Sequence, residues 1–307
     1  MTQTADRAVT AQPYRFFRTE VRRIEQLSPH FIRVTFTGDD LDRFADNGFD
    51  QRIKLIPPLP EHGLDHLPTG LDWYTEWREL PADKRNPIRT YTVRAVRPAD
   101  HEVDVDMVLH GISGPASKWA AEAGPGSIAA LLGPNADFDG PHGGIDFHPP
   151  AHTDCLMLGG DETAVPAIAS ILACLPADTI GEALLEVPES GDTLDLVAPA
   201  GVTVTWLPRD GAAQGEKLIP AVRQATRRFF GDRPAGPATA LEDVDVDHDI
   251  LWEVPEPLTD TTRFYAWLAG EAAVIKTLRR HLVAECGVDR RSVAFMGYWR
   301  LGKSEDN

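Results

Sequence analysis

The sequence predicts a small antiparallel β-barrel followed by an α/β domain built on a parallel sheet. Two patterns carry this expectation. The first half holds short runs that alternate apolar and polar residues between turn signals. The second half switches to apolar strands separated by helical patterns, the signature of βαβ units. The length, 307 residues, suits two domains at ~100–200 residues each. A division near residue 148 is expected, with residues 1–148 forming the barrel and 149–307 the α/β domain.

The elements follow in order. "VRRIEQLSPHFIRVTFTG" alternates on both sides of a Ser-Pro turn and reads as a hairpin. "IKLIPPL" is a further strand. Residues 57–88, rich in Pro, Trp and charge, read as a long loop. "IRTYTVRAV" and "EVDVDMVLH" are two more alternating strands. "GPASKWAAEA" is a short helix entered through Gly-Pro, and "SIAALLGP" closes the barrel. Beyond it, "CLMLGG", "EALLEVP", "VTVTWLP", "RFYAWLAG" and "SVAFMGYW" read as strands. "AVPAIASILACL", "KLIPAVRQATRRFF" and "EAAVIKTLRRHLVAECG" read as helices. An acidic, Pro-rich insertion is expected over about 231–260.

Composition narrows the function classes. The net charge is −17, and residues 101–200 carry 16 acidic side chains against one basic, Lys118. A nucleic-acid partner is not expected, because such binding rests on clustered Lys and Arg. No apolar run approaches the ~18 residues that span a membrane, and the polar N-terminus lacks a secretory apolar core. The three cysteines, Cys155, Cys174 and Cys286, form no CxxC and cannot supply the four thiolates of an iron–sulfur cluster. Their scatter suits small core residues in a reducing cytoplasm. No metal site is expected.

Several short stretches carry chemistry. In "RTYTVR" an alternating strand places Arg89 and Tyr91 on one face and Thr90 and Thr92 on the other. A cation, an aromatic face and a hydroxyl donor suit a flavin dinucleotide; an ordinary half-buried strand would read the same way. In "GGDETAVP" a strand-to-helix turn, usually a phosphate cradle, is filled by Asp161, Glu162 and Thr163. Carboxylates there cap free N–H groups and favour a hydroxylated, uncharged partner over a phosphate. "WLAGEAAVI" is a second such turn, with Gly270 and Glu271. "WLPRDG" sets Arg209 at a strand end, either facing an adenosine 2′-phosphate or as a surface loop arginine.

"DQRIKL", "RTYTVR", "VLHGISGPASKWA", "GDETAVPAIASIL", "WLPR", "AGEA" and "GYWRLG" occur in this order. The chain resembles the siderophore-interacting protein family of FAD-containing ferric-siderophore reductases, with a ferredoxin-reductase-like build, over residues 14 to 303 or so. The resemblance implies an FAD-binding barrel, an NAD(P)H-binding α/β domain, and reduction of a ferric siderophore by NADH or NADPH. It implies that Arg89, Tyr91 and Thr92 hold the pyrophosphate and flavin ring. Val108, Leu109 and His110 would line the cofactor, and Ala116 and Ser117 would reach the pyrophosphate. Asp161, Thr163, Ala164 and Trp299 would complete the cofactor site, with Asp161 divided between capping and sugar binding. Gly270, Glu271 and Arg209 would meet the nicotinamide dinucleotide. Lys54, Arg300 and Lys303 would face an anionic siderophore. No catalytic acid, base or nucleophile is expected, since the cofactor carries the chemistry. A flavoreductase for a quinone or free flavin, and a non-enzymatic siderophore or flavin binder, are the alternatives.

Overall fold

The computed structural model describes residues 11–109, 114–150, 153–231, 244, 246, 250–255 and 263–302. His110, Lys303 and most of the acidic insertion lie outside the described residues.

Six strands close the barrel: β1 (Tyr14–Gln26), β2 (Phe31–Thr37), β3 (Arg52–Ile56), β4 (Arg89–Arg97), β5 (Glu102–Val108) and β6 (Ile128–Pro134). Their order is β1-β2-β5-β4-β3-β6, antiparallel throughout. Phe17, Val34, Phe36, Ile53, Leu55, Val105 and Leu131 fill the interior. The alternation of inward and outward residues in the sequence therefore appears as wall and core.

The stretch 57–88 is more structured than a loop. It contains helix α1 (Trp73–Glu79), whose Trp77 is buried and donates its indole N–H to the Asn86 carbonyl at 2.9 Å. Leu64 and Trp73 pack with Ile56, Ala130 and Leu132 as a small second core. The helix forms because its tryptophans have these partners, a tertiary effect that local composition does not show.

The second sheet has β7 (Cys155–Gly160), β8 (Gly181–Val187), β9 (Val202–Pro208), β10 (Trp252–Glu253), β11 (Phe264–Glu271) and β12 (Val293–Trp299). The order is β10-β12-β11-β7-β8-β9. All neighbours are parallel except β10, a short antiparallel edge beside β12 that the sequence reading missed. Helix α2 (Pro115–Glu122) belongs to the barrel. Helix α3 (Val165–Cys174) covers one face of the sheet, and α4 (Leu218–Phe230) and α5 (Ala272–Arg279) cover the other. Helix α5 passes into a π-helical turn, Arg280–Glu285.

Helix α3 is the joint of the molecule. Its residues from Val165 to Leu172 are all buried, as expected of a helix that is apolar all round. Barrel residues Phe31 and Val108 share a core with Ala164, Ile168 and the sheet. The Ser170 hydroxyl donates to the Val93 carbonyl of β4 at 3.0 Å. Asp50, fully buried ahead of β3, accepts the N–H groups of Asp146 (3.0 Å) and Phe147 (3.1 Å). Arg52 pairs with Asp146 at 2.9 Å and lies over the Trp252 ring at 4.6 Å. Asp50 and Arg52, at the entry to the third barrel strand, thus tie the barrel to the connecting segment and to β10.

Candidate active site

The carboxyl ends of β7, β11 and β12 meet at Asp161. Its side chain is buried, and both oxygens are occupied. Oδ1 accepts the backbone N–H of Thr163 (2.9 Å) and its hydroxyl (2.5 Å). Oδ2 accepts the Glu271 N–H (2.7 Å), the Trp299 indole N–H (2.8 Å) and the Gln214 amide (3.0 Å). A carboxylate has about four lone-pair sites, so five protein donors leave none for a ribose hydroxyl. Burial, and then the neighbouring Glu162 carboxylate, push the Asp161 pKa up to about 6, against the pull of Thr163 and Trp299.

Gly270 makes room for this carboxylate. Its φ is +148°, and a Cβ there would lie 2.7 Å from Asp161 Oδ2. Glu271 follows as the N-cap of α5, accepting the Val274 N–H at 2.9 Å. It also receives the Leu301 N–H at 3.3 Å.

Arg209 is committed to carboxylates. Its guanidinium forks onto Glu162 at 2.6 and 2.8 Å and reaches Glu186 at 3.4 Å. Glu186 is fully buried and accepts the N–H groups of Gly215, Lys217 and Leu218 at 2.8–3.0 Å. It thereby satisfies amides at the start of α4. The sequence reading missed Glu162, Glu186 and Gln214 as a network, since its members lie on separate turns.

On the barrel, β4 pairs with β5 only from Val93 onward. Over Arg89–Thr92 it pairs with β3 alone. Arg89 and Tyr91 are half-buried and Thr92 is buried. Arg89 also donates to the Ile88 carbonyl at 2.8 Å. Val108 packs at the seam with α3, whereas Leu109 packs on the barrel core and donates its N–H to the His30 carbonyl at 2.8 Å. Helix α2 begins with Gly114 as N-cap and Pro115 at its first position. Glycine has no capping side chain and proline no N–H, so Gly114 leaves the amides of Ala116 and Ser117 uncapped. Lys54, exposed on β3 opposite Thr90, donates to its hydroxyl at 2.7 Å. Arg300 is half-buried after β12.

The structure therefore gathers Asp161, Thr163, Gly270, Glu271 and Trp299 into one cluster, with Arg209 reached through Glu162. Arg89, Tyr91, Thr92 and Lys54 share the β3–β4 ladder. Val108, at the end of β5, shares one hydrophobic core with Ala164 and α3. Among the described residues no helix is long and apolar enough to cross a membrane, and no group of His, Cys, Asp or Glu is disposed to hold a metal ion.

This architecture is that of the ferredoxin reductases. The ferredoxin reductase in carbazole 1,9a-dioxygenase superposes with a TM-score of 0.60 at 15% identity, covering 94% of this chain and 71% of that one. The chain belongs to the siderophore-interacting protein family. Residues 20–138 match the siderophore-interacting FAD-binding domain and residues 153–302 match the siderophore-interacting protein domain. Ferric vibriobactin reductase ViuB of Vibrio cholerae is 30% identical over 284 residues, 92% of this chain and 89% of ViuB. A siderophore utilization protein from T. fusca superposes with a TM-score of 0.70 at 29% identity, covering 96% of both chains.

FAD is the cofactor that the family implies, and the donor set fits it. The opening of β4 away from β5 exposes a strand edge that bears a cation, an aromatic ring and a hydroxyl. The uncapped α2 N-terminus supplies backbone N–H groups of the kind a pyrophosphate takes up.

Proposed function

We propose that this protein is an NAD(P)H-dependent, FAD-containing ferric-siderophore reductase that releases iron by reducing Fe(III) to Fe(II). The observation that carries the reading is the opening of the barrel wall at Arg89–Thr92 beside α3, against which the sheet's carboxyl-end turns are built. A parallel sheet binds dinucleotides at those ends.

In this reading residues 1–148 hold FAD and 149–307 receive NAD(P)H. Arg89 and the amides of Ala116 and Ser117 take the pyrophosphate. Tyr91 offers a ring face and Thr92 a hydroxyl at the ring edge. Val108, Leu109, Thr163 and Ala164 line the cofactor, Val108 and Ala164 from the shared apolar core. Gly270 and Glu271 meet the nicotinamide. Lys54 and Arg300 are the cations for an anionic ferric chelate. Arg209 is neutralised by Glu162 and Glu186, so it has no surplus charge for a 2′-phosphate, and the choice between NADH and NADPH is made elsewhere.

Bound FAD supplies the exchange between a two-electron hydride donor and one-electron ferric acceptors. One nicotinamide therefore reduces two ferric ions. Hard oxygen donors hold Fe(II) less tightly than Fe(III) because its charge is lower, so reduction frees iron without destroying the chelator. The protein's part is to bind, orient and shield, and it needs no nucleophile or general base for this.

Anaerobic mixing of the FAD-loaded protein with NADH and with NADPH, followed by ferric siderophores and by quinones, tests the reading. The flavin is expected to bleach with a nicotinamide and recover its colour with ferric chelates. A flavin that stays oxidised with both nicotinamides, or turnover confined to quinones, overturns it.

A further inference from the structure

We propose that Asp161 is a positioning residue of this reductase: its buried carboxylate fixes the Trp299 indole across the ends of β7 and β11, and this contact sets how fast the nicotinamide reacts. The inference rests on the functional reading above and assigns one part of its site.

Asp161 is more than a helix cap. The N-cap of α3 is Ala164, with no side-chain hydrogen bond to the helix, and Asp161 lies three residues before it. Only Thr163 is a local partner. The other three donors come from the loop before α4 (Gln214), the end of β11 (Glu271) and the end of β12 (Trp299).

The fold makes two concessions for this contact. A carboxylate is taken out of water, which is costly unless it is fully paired. A glycine with φ +148° stands at 270, where any Cβ would strike the carboxylate. A third feature aims the partner. The β11–β12 register runs Gly270 with Gly297 and then Glu271 with Trp299, skipping Tyr298. Such an irregularity redirects a side chain, here toward Asp161. The Leu301 N–H on Glu271 then holds the following turn against the same sheet end. Trp299, half-buried, is thus secured from both sides over the two turns that the nicotinamide must approach.

The charged and titratable groups around Asp161 are Glu162 beside it, Arg209 and Glu186 through Glu162, Glu271 from β11, and Tyr298 from β12. Of these, Glu162 acts most strongly on it, and with burial it raises the Asp161 pKa to about 6. A neutral carboxyl is a weaker acceptor, and a proton on Oδ2 would compete with the three donors there, Trp299 among them, so the hold on Trp299 should weaken below that pH.

The test uses the full chain, with and without FAD. Trp299→Phe keeps an aromatic ring without the N–H and leaves every other partner of Asp161, and Asp161→Asn removes the charge. Each is expected to slow flavin reduction by the nicotinamide roughly tenfold in stopped-flow measurements, with the double variant no slower than the slower single one. Reoxidation of chemically reduced protein by a ferric chelate should be unchanged. In the FAD-free chain, the Trp299 indole N–H resonance should move with a midpoint near pH 6 and lose that titration in Asp161→Asn. If Asp161→Asn does not fold, Trp299→Phe carries the kinetic test. Wild-type rates in Trp299→Phe, additive losses in the double variant, or an indole resonance with the same pH dependence in Asp161→Asn as in wild type would each overturn the proposal. If neither nicotinamide reduces the wild-type flavin, the functional reading fails instead, and the contact is judged on the resonance alone.

Discussion

The imidazole Nδ1 of His30 stands 2.8 Å from Asp192 Oδ2 and joins the first hairpin turn of the barrel to the segment that follows β8. Asp192 has no exposed side-chain surface. It also accepts the His30 N–H (2.9 Å), the Ser28 hydroxyl (2.8 Å) and the Glu189 N–H (3.1 Å). One carboxylate therefore bolts the barrel to the segment that leaves the carboxyl end of β8, the same end of the parallel sheet at which Asp161 follows β7.

This bolt should make the junction acid-sensitive. Burial alone would raise the Asp192 pKa, but the His30 N–H, the Ser28 hydroxyl and the His30 ring outweigh it and hold the pKa below the usual carboxylate range. A depressed folded-state pKa contributes stability above the unfolded value of ~3.9, and that stability is lost as pH falls through the folded value. Asp192→Asn should therefore melt earlier than wild type at neutral pH, with the gap closing below about pH 4. Thermal melts of both proteins across the acid range check this, and a gap that stays constant would refute the bolt.

Arg89 should matter more for cofactor than for folding. It is half-buried on the part of β4 that has no β5 partner. A hydrogen bond to a charged group contributes ~1.5–3 kcal/mol, or roughly ten- to a hundredfold in affinity. Arg89→Ala should weaken FAD binding by that factor, measured by titrating the apoprotein, and lower unfolding stability by less than ~1 kcal/mol. Chromatography of heat-released cofactor from the wild type should return FAD. Recovery of FMN alone would exclude a pyrophosphate site at Arg89 and α2.

Both sheets could be read from the sequence because each obeys a simple period. Alternation marks the barrel walls, and unbroken apolar runs mark the buried parallel strands. What escaped depends on tertiary partners. Helix α1 forms because Trp73 packs with Ile56, Ala130 and Leu132 and the buried Trp77 finds the Asn86 carbonyl. The β10 edge is two residues long, below the length at which a period exists. At the site, "GGDET" announces a strand-to-helix turn with carboxylates but not their partners. Gln214 and Trp299 lie 53 and 138 residues from Asp161 in sequence, so only folding brings them together. The same distance hid the partners of Arg209. An arginine at a strand end looks like a phosphate ligand until Glu162 and Glu186 are seen beside it.

Arg209 should therefore behave as a structural cation. Glu162 and Glu186 are buried, and the fork onto Glu162 has two short bonds. Removing one partner of a buried ion pair strands the other's charge and costs about 3–5 kcal/mol. Arg209→Ala should lower the unfolding free energy by about that much in denaturant titrations. Arg209→Lys should lose less, since it keeps the charge but not the planar fork. The ratio of activity with NADPH to activity with NADH should hardly change in Arg209→Lys. A selective loss with NADPH would show that Arg209 leaves the carboxylates to meet a 2′-phosphate.

The substrate cations are the last test. Lys54 is exposed on β3, where its ammonium donates to the Thr90 hydroxyl at 2.7 Å. Arg300 follows Trp299 at the sheet end. In a chain of net charge −17, an anionic chelate is repelled at long range, a repulsion screened beyond ~8–10 Å at working salt, so attraction must be local. An exposed ion pair contributes ~0.2–1 kcal/mol and a shielded charged hydrogen bond ~1.5–3. A half-open site lies between, so Lys54→Ala and Arg300→Ala should each raise the apparent dissociation constant of an anionic ferric siderophore roughly three- to thirtyfold. Flavin reduction by the nicotinamide should be untouched in Lys54→Ala, and a neutral hydroxamate chelate should bind both variants nearly as wild type. Steady-state reduction of both chelates at low and high salt reads the difference, and added salt should erase part of it. Equal losses for charged and neutral chelates would move the anion site away from these residues and leave them a role in structure or cofactor binding.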